Sequence, residues 1–576
     1  MRRRAMSHNP NRLPRRLREA HIAQREKSGG HAETKRPSRK YRRRPSRLAE
    51  NYKERAKGNS WLETHIWHAK RNLYPRGAIG RVTFHWKPVV EGVLSRTVWI
   101  WTHPSFYPEV LEQLKDVFAL TAGQDVDDLF TNGITGVEVR SLKNSLIRFR
   151  LRGPQSGSVL SIAYELHGVY RENNKFPPNS IRGIYIRDPR LTLPAKKCIP
   201  SSEVQSNADI PAVSTGQNNI DLWDRQLREA IQEKRKTLPD SEINKRRQQL
   251  LVPGSRLPAQ LDEIQIPLLL VNSSLETKEE SGWDVIGPAG WGTALWLPLV
   301  YSGGRVGGLL DAVNLNYEHG TCLETRLDPD TAAGKQYFRE KEQELIENYF
   351  RRPPKNRLNY IKLGIPCPFR PNWEHLSCEF TSFSDYFILR DKSILKPMKE
   401  SANLSEDIKN FLENNPCLVE ITVLLGTGTA EDYSMICCPN PEDSGNVTEP
   451  QHKDETAKER NILKKQHKEE LAKLTKKRKE SKKEGKSVED LRSSEICQQH
   501  SEAMKKLWLP KVKSIRDCCS RQVMGFVTSG GFSLKRGKGF GRGYVVGASL
   551  CQLQSRRVLV RNTNSLLFKW AILEVV

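Results

Sequence analysis

The sequence predicts an α+β protein: a basic, partly disordered amino-terminal arm, then a mixed α/β core with a basic low-complexity insertion. Three observations lead there. Residues 1–60 hold 20 Lys or Arg against 5 acids, with few aliphatics. Such a segment cannot bury enough apolar surface to offset its ordering entropy without a partner. From Ile79 onward, runs of β-formers alternate with apolar residues at helical spacing. Residues 453–486 then return to 14 Lys or Arg and 7 acids; this is a solvated single helix, a disordered linker or a nuclear-import signal.

The elements follow in order. Residues 1–78 form the arm and a helix over Trp61–Arg71. Residues 79–200 begin the core, with strands at Val82–Trp86, Val98–Trp101, Leu146–Leu151 and Ile181–Ile186 and a helix over Glu109–Phe118. A helical connector spans 201–260. A central Gly/Trp-rich domain spans 261–380, ending in a polar helix near Gly334–Tyr349. A linker spans 381–510, with one buried strand at Leu418–Leu425. Residues 511–576 close the chain with strands at Val523–Ser533, Gly543–Leu550, Val558–Val560 and Ala571–Val576.

The formal charge is +27, from 94 Lys and Arg against 67 acids. An excess of that size repels itself unless a polyanion neutralises it, and nucleic acid is the usual one. No stretch approaches the ~18 apolar residues of a membrane span, and Met1-Arg2-Arg3-Arg4 has no apolar leader core, so a soluble intracellular protein with no membrane partner is expected. The 11 cysteines include no CxxC, so reduced thiols are expected and a zinc ribbon is not.

The densest polar-aromatic cluster is Trp61-Leu-Glu-Thr-His65-Ile-Trp67-His68-Ala-Lys70-Arg71. On a helix, Trp61, His65 and His68 share one face with Trp67 beside it. The aromatics either stack on unpaired bases while Lys70 and Arg71 track phosphate, or they anchor the segment to the core. No Cys or carboxylate completes a metal set with the two histidines, and no metal or cofactor is expected. The block Gly282–Gly308 suits either a ligand pocket or, preferred here, a tightly packed barrel with sharp turns; Arg305 is the residue expected to face outward. Phe350-Arg351-Arg352-Pro-Pro-Lys355-Asn-Arg357 lays its cations along a phosphate backbone or is a plain exposed turn. Gly530–Gly543 fails the P-loop test, because Lys538 is followed by Gly539. No GxSxG, HExxH or kinase signature occurs, and no catalytic residues are assigned.

Several of these stretches resemble one family. Arg2-Arg3-Arg4-Ala-Met-Ser-His-Asn9 with Arg12-Leu-Pro-Arg15-Arg16-Leu17 is similar to the opening motif of the largest protein subunit of eukaryotic ribonuclease P and RNase MRP. Trp61–Arg71 is similar to its second signature. The likeness continues through Leu251–Ser255, Gly282–Val285, Gly290–Gly292, Arg305–Leu309, Arg351–Pro354 and Asn359–Gly364. The resemblance implies a non-catalytic scaffold that binds the RNase P and RNase MRP RNAs and gathers the smaller protein subunits. Catalysis then belongs to the RNA, and precursor tRNA is met indirectly. It further implies 5′ maturation of precursor tRNA and pre-rRNA cleavage in the nucleus and nucleolus. The RNA contacts would come from the arm, including Arg42, Arg43 and Arg44, from the Trp61–Arg71 cluster, and from Arg305, Arg351, Arg352 and Lys355. A fainter likeness, Gly525-Phe-Val-Thr-Ser-Gly530 with Phe532-Ser533, is to the aminomethyltransferase (T-protein) fold, taken as scaffold without its folate chemistry. The few residues between Arg71 and Val82 suggest a shortened form. The rival readings are a folate-dependent transferase and a general ribosome-assembly factor.

Overall fold

The computed structural model describes residues 18–20, 22–23, 58, 60–69, 73–89, 95–123, 128–166, 179–193, 196–197, 221–250, 257, 263–273, 282–318, 328–401, 404–483 and 491–576. The chain divides into two units, 1–60 with 86–97, and 61–85 with 98–576. In the first, the Lys87 amide donates to the Thr97 carbonyl at 2.8 Å and the Arg96 guanidinium lies 5.1 Å over the Trp86 ring. The second carries a mixed α/β architecture with a closed barrel.

Its first layer is the sheet β1 (Leu62–Trp67), β2 (Ala78–Trp86) and β3 (Val98–Trp101), in that order. β1 corrects the helix expected over Trp61–Arg71: the described part of that stretch is a strand paired antiparallel with β2, His65 opposite Arg81. The reason is a demand for two faces. Ile66 packs on Ile79, Val82 and Phe106, whereas Trp61 packs on Trp99 and Trp101. Residues of opposite parity serve opposite sides only at a period of two, and Thr64, Ile66 and Trp67 suit a pleated surface. Helix α1 (Tyr107–Phe118) follows and stops at Ala119, which is left-handed at φ 49°. A small antiparallel sheet comes next: β4 (Thr121–Ala122), β5 (Leu129–Asn132) and β6 (Val137–Arg140).

The second layer comprises β7 (Leu146–Arg152), α2 (Ser156–Ala163), β8 (Ile181–Arg187), α3 (Pro189–Thr192), α4 (Arg225–Thr237), α5 (Asp240–Gln248), β9 (Gln265–Ser273), β10 (Gly282–Pro288), α6 (Gly292–Tyr301) and α7 (Leu309–Glu318). Its antiparallel sheet runs β7-β10-β9-β8. The unbroken apolar run Ile266–Val271 exists because both faces are covered. Ile266, Leu268 and Leu270 meet Leu160, Trp291 and Leu295 on one side, while Leu269 and Val271 meet Trp61 and Trp99 on the other. The Gly/Trp-rich block is therefore strand, turn and helix on an open sheet, which corrects the barrel expected there. Trp291 is fully buried, as the packing reading required.

The third layer begins with α8 (Ala332–Arg351), α9 (Tyr360–Leu363) and α10 (Trp373–Thr381). It continues through β11 (Phe387–Ile388), α11 (Lys392–Glu400), α12 (Glu406–Asn414), β12 (Cys417–Leu425), β13 (Met435–Cys437) and β14 (Val447–Thr448) to the long helices α13 (Ala457–Lys483) and α14 (Leu491–Trp508). It ends with β15 (Val523–Ser533), β16 (Lys538–Val546), α15 (Gly547–Leu550), β17 (Arg557–Arg561) and β18 (Leu567–Val575). The interval 381–510, expected as a linker, instead supplies four of these helices and four strands. Strands β12, β16, β15, β13, β17 and β18 pair in that order, and β18 pairs again with β12, closing an antiparallel barrel. Alternate residues feed two cores, as a barrel wall demands. Val419, Ile421 and Val545 enter one, Leu418, Met435 and Tyr544 the other. At Gly543 a Cβ would lie 2.0 Å from the Phe526 carbonyl oxygen, so β15 and β16 approach this closely only with glycine.

Candidate nucleic-acid interface

The aromatic cluster of the Trp61 region turns inward. Trp61 is 9% exposed, stacked on His85 at 5.1 Å between centroids, with the Arg148 guanidinium 4.8 Å from its ring. His85 also meets Trp99 and Trp223 edge-on, at 5.4 and 5.1 Å. Among the described residues its ring nitrogens have no hydrogen-bond partner, and burial, followed by the charge of Arg148, lowers its pKa to about 3. Arg148 and Arg152 converge on buried Asp284, Arg152 at 2.8 Å. Burial pushes that carboxyl up, but the two guanidiniums outweigh it and hold it below the ordinary range. Trp61 is thus a core residue whose ring is already in contact with His85 and Arg148.

His65 and Trp67 follow at the half-buried edge of β1, their rings 6.5 Å apart. Trp67 lies edge-on to Tyr74 at 5.0 Å and 5.8 Å from the Arg390 guanidinium. Arg390 donates to Asp328 at 2.8 Å and to Asp330 at 2.6 Å, and the Tyr544 hydroxyl donates to Asp328 at 2.9 Å, so this network ties β1 to the barrel. Burial lowers the His65 pKa to about 4, aided by Arg390. Burial raises that of Asp328 to about 6 against the pull of Arg390. His68, on the opposite side of the strand, pairs with Glu109 at 3.0 Å. The expected common face of Trp61, His65 and His68 therefore does not form.

Other predicted cations are exposed. Arg351, Arg352 and Lys355 are exposed at the end of α8, and Arg305 is exposed in the loop before α7. Arg357, expected beside them on the surface, turns in. It donates to the carbonyls of Arg352 and Phe350 at 2.8 and 2.7 Å, closing the helix end, and lies 5.9 Å from the Trp508 ring at the close of α14. That ring also meets Arg460 of α13 at 4.4 Å. Arg460 donates to the Leu507 carbonyl at 3.0 Å and pairs with Asp454, which accepts from Asn359 at 2.6 Å. The Arg351–Lys355 turn thus abuts the root of an antiparallel helical hairpin.

The hairpin has a seam and a charged back. Leu463, His467, Leu471 and Leu474 of α13 are half-covered, as are Ile496, His500, Ala503, Met504 and Leu507 of α14, at three- and four-residue spacings that bring two helices together. His467 and His500 stack there, 3.8 Å apart at 11°. Lys458, Lys465, Lys468, Lys476 and Lys479 are exposed on the other side. At ~100° per residue they fall within about 80° of arc, Glu469 bordering the stripe and Glu459 and Glu470 lying nearer the seam. Sequence reasoning assigned no contact to these lysines; their spacings of three, seven and eight residues were the available signal.

Arg2, Arg3, Arg4, Arg12, Arg15, Arg16, Arg42, Arg43, Arg44, Lys70 and Arg71 lie outside the described residues. Among the described residues, no group of three His, Cys, Asp or Glu side chains is placed to hold a metal ion, and no helix is long and apolar enough to cross a membrane.

Comparison with known proteins assigns the surroundings of this surface. Residues 417–576 match the POP1 C-terminal domain and residues 282–373 the POPLD (NUC188) domain. The chain is 24% identical over 724 residues to the ribonucleases P/MRP protein subunit POP1 of Homo sapiens, covering 87% of this chain and 70% of that protein. It is 25% identical over 391 residues to the ribonucleases P/MRP protein subunit popl-1 of Caenorhabditis elegans, covering 64% of this chain and 49% of that protein. With barrel and POPLD segment both matched, the chain carries a POP1 C-terminal domain and a POPLD domain and is similar to ribonuclease P/MRP protein subunits.

Proposed function

We propose that the chain is a non-catalytic, RNA-binding scaffold of ribonuclease P and RNase MRP. It supports 5′ maturation of precursor tRNA and pre-rRNA cleavage in the nucleus and nucleolus, with the RNA subunit carrying the chemistry. Its partners are the RNase P and MRP RNAs and the smaller protein subunits, with precursor tRNA met indirectly. The observation that carries this reading is the exposed charge of Arg351, Arg352 and Lys355 at the end of α8 together with the exposed lysine stripe of α13. Exposed cations on a rigid element bind RNA backbone by shape and counterion release rather than by sequence. The 20 Lys and Arg of residues 1–60 add to the positive charge available to RNA. The barrel serves as an aminomethyltransferase-like scaffold without folate chemistry.

The test is to purify the tagged chain from nuclear extract and sequence the RNA that accompanies it. Enrichment of the RNase P and MRP RNAs is expected, with precursor-tRNA cleavage that disappears when the eluate is treated with nuclease and the nuclease inactivated. RNA no different from the total pool, or cleavage that survives RNA removal, would overturn the reading.

A further inference from the structure

A cation-lined cavity lies far along the sequence from the hairpin, where α3, α4 and the start of α5 meet the turn between β10 and α6. It has a volume of about 320 Å³ and is lined by Arg190, Gln232, Arg235, Lys236, Asp240 and Gly290. A second space of about 170 Å³ shares Arg190, Arg235 and Asp240 and reaches Arg247 and Thr293. The larger volume is at the lower end of the ~300–1,000 Å³ range of small-molecule sites, so a compact ligand fits. Gly290 holds the turn open at φ +84°, a conformation side-chain-bearing residues rarely adopt.

The charges around this cavity do not cancel. Arg190 is matched by Asp188 at 2.8 Å and Asp240 at 2.9 Å. Lys236 pairs with Glu233 at 2.6 Å in an exposed contact that solvent weakens. Arg247 is spent on the Arg190 carbonyl. Arg235 is half-buried and pairs with no carboxylate among the described residues; its guanidinium lies 5.7 Å from the ring of the fully buried Trp291, which Arg190 also approaches at 5.1 Å. Trp291 therefore fixes the direction of Arg235 without neutralising it. A pre-positioned guanidinium with unused donors is suited to bidentate capture of a phosphate.

We propose that this cavity binds a phosphate group through Arg235, with Gln232 and Lys236 as further donors at its mouth. The phosphate belongs either to the backbone of a bound RNA or to a free diphosphate-bearing ligand. The site is independent of the scaffold reading, because a small phosphate can enter it whether or not the chain assembles with RNase P RNA.

Calorimetric titration of the full chain with inorganic pyrophosphate, and separately with a short single-stranded oligoribonucleotide, tests it. Binding should saturate, and Arg235→Gln should weaken it roughly tenfold or more, the cost of one charge-assisted hydrogen bond. Arg235→Lys, which keeps the charge, should lose less, and its unliganded unfolding midpoint controls for folding. Arg235-dependent binding of the oligonucleotide alone would identify a chain phosphodiester as the ligand; such binding of pyrophosphate alone would identify a free phosphate. Absence of saturable binding, or equal affinity in wild type and Arg235→Gln, would overturn the proposal.

Discussion

Replacing Lys465, Lys468, Lys476 and Lys479 together by Gln should change how RNA binding depends on salt. All four are exposed on α13, and at ~1.5 Å rise per residue they span about 21 Å of helix. A nucleic-acid duplex carries one charge per ~1.7 Å of its axis, so four lysines over that distance can each meet a different phosphate. Each contact contributes roughly 0.9 to the slope of log affinity against log salt on a duplex and roughly 0.7 on a single strand. The quadruple variant should therefore show a slope shallower by about 3 to 4. Between 50 and 200 mM salt, the wild type should lose on the order of 100-fold more affinity than the variant does. Gln and Lys have similar helix propensities, and exposed substitutions shift stability by only about 0.5 kcal/mol, so circular dichroism and the unfolding midpoint should be unchanged. Fluorescence anisotropy with a labelled RNA, titrated at four salt concentrations, gives the slope. A variant whose slope lies within about 1 of wild type would refute the assignment of this helix face to the RNA backbone.

Other consequences follow from the buried groups. His85 is held neutral down to about pH 3 while its unfolded counterpart takes a proton near 6.5. Stability should therefore fall as pH drops through that window, by about 2 kcal/mol between pH 7 and 5 for this residue, and His85→Phe should flatten urea-denaturation midpoints across that range; an unchanged pH dependence would count against the buried neutral ring. Arg390→Met leaves Asp328 and Asp330 without their cation and should destabilise the fold by about 3–5 kcal/mol; a loss under 1 kcal/mol in chemical denaturation would contradict the network. Burial pushes the Cys367 and Cys417 thiols up to about 12, whereas Cys378 and Cys497 are exposed. Iodoacetamide followed by mass spectrometry should label the exposed pair first, and early labelling of Cys417 would contradict the packing of β12.

Local patterns in the sequence reach the strands whose environment is uniform. Val98–Trp101, Leu146–Leu151 and Leu418–Leu425 read correctly because β-branched and aromatic residues recur where a sheet is covered. Trp61–Trp67 misleads because Trp61, His65 and His68 fall at helical spacing, although in the strand only Trp61 and His65 share a parity. Only the placement of two separate cores, around Phe106 and around Trp99, decides for the strand. Closure of the barrel rests on Ile421 meeting Val575, a pairing across more than a hundred residues that leaves no local trace. The hairpin hides for another reason: His467 and His500 occupy seam positions where an apolar residue would have announced a partner helix. Arg357 shows the limit at a single site, since neither charge nor neighbours distinguish it from Arg351, yet its guanidinium is bound to two carbonyls.

The distribution of partners explains why so basic a chain folds and still presents charge. Guanidiniums taken out of water are matched where they sit: Arg390 by Asp328 and Asp330, Arg460 by Asp454, Arg542 by Glu420 at 2.9 Å, and Arg561 by the carbonyls of Leu363 and Gly364 at 2.7 and 2.9 Å. Burying those charges unpaired would cost several kcal/mol each, so acids and carbonyls are drawn inward to meet them. Acids committed to the interior cannot offset surface lysines, and the surplus of the composition then falls on exposed positions such as Lys465, Lys468, Lys476 and Lys479. Mutual repulsion along that face is weak in water at physiological salt, where the screening length is ~8 Å, and it is relieved when phosphates replace the counterions. The same separation makes the two kinds of cation distinguishable by experiment: substituting an interior arginine should shift the unfolding midpoint, and substituting a lysine on the back of α13 should shift the salt slope of RNA binding.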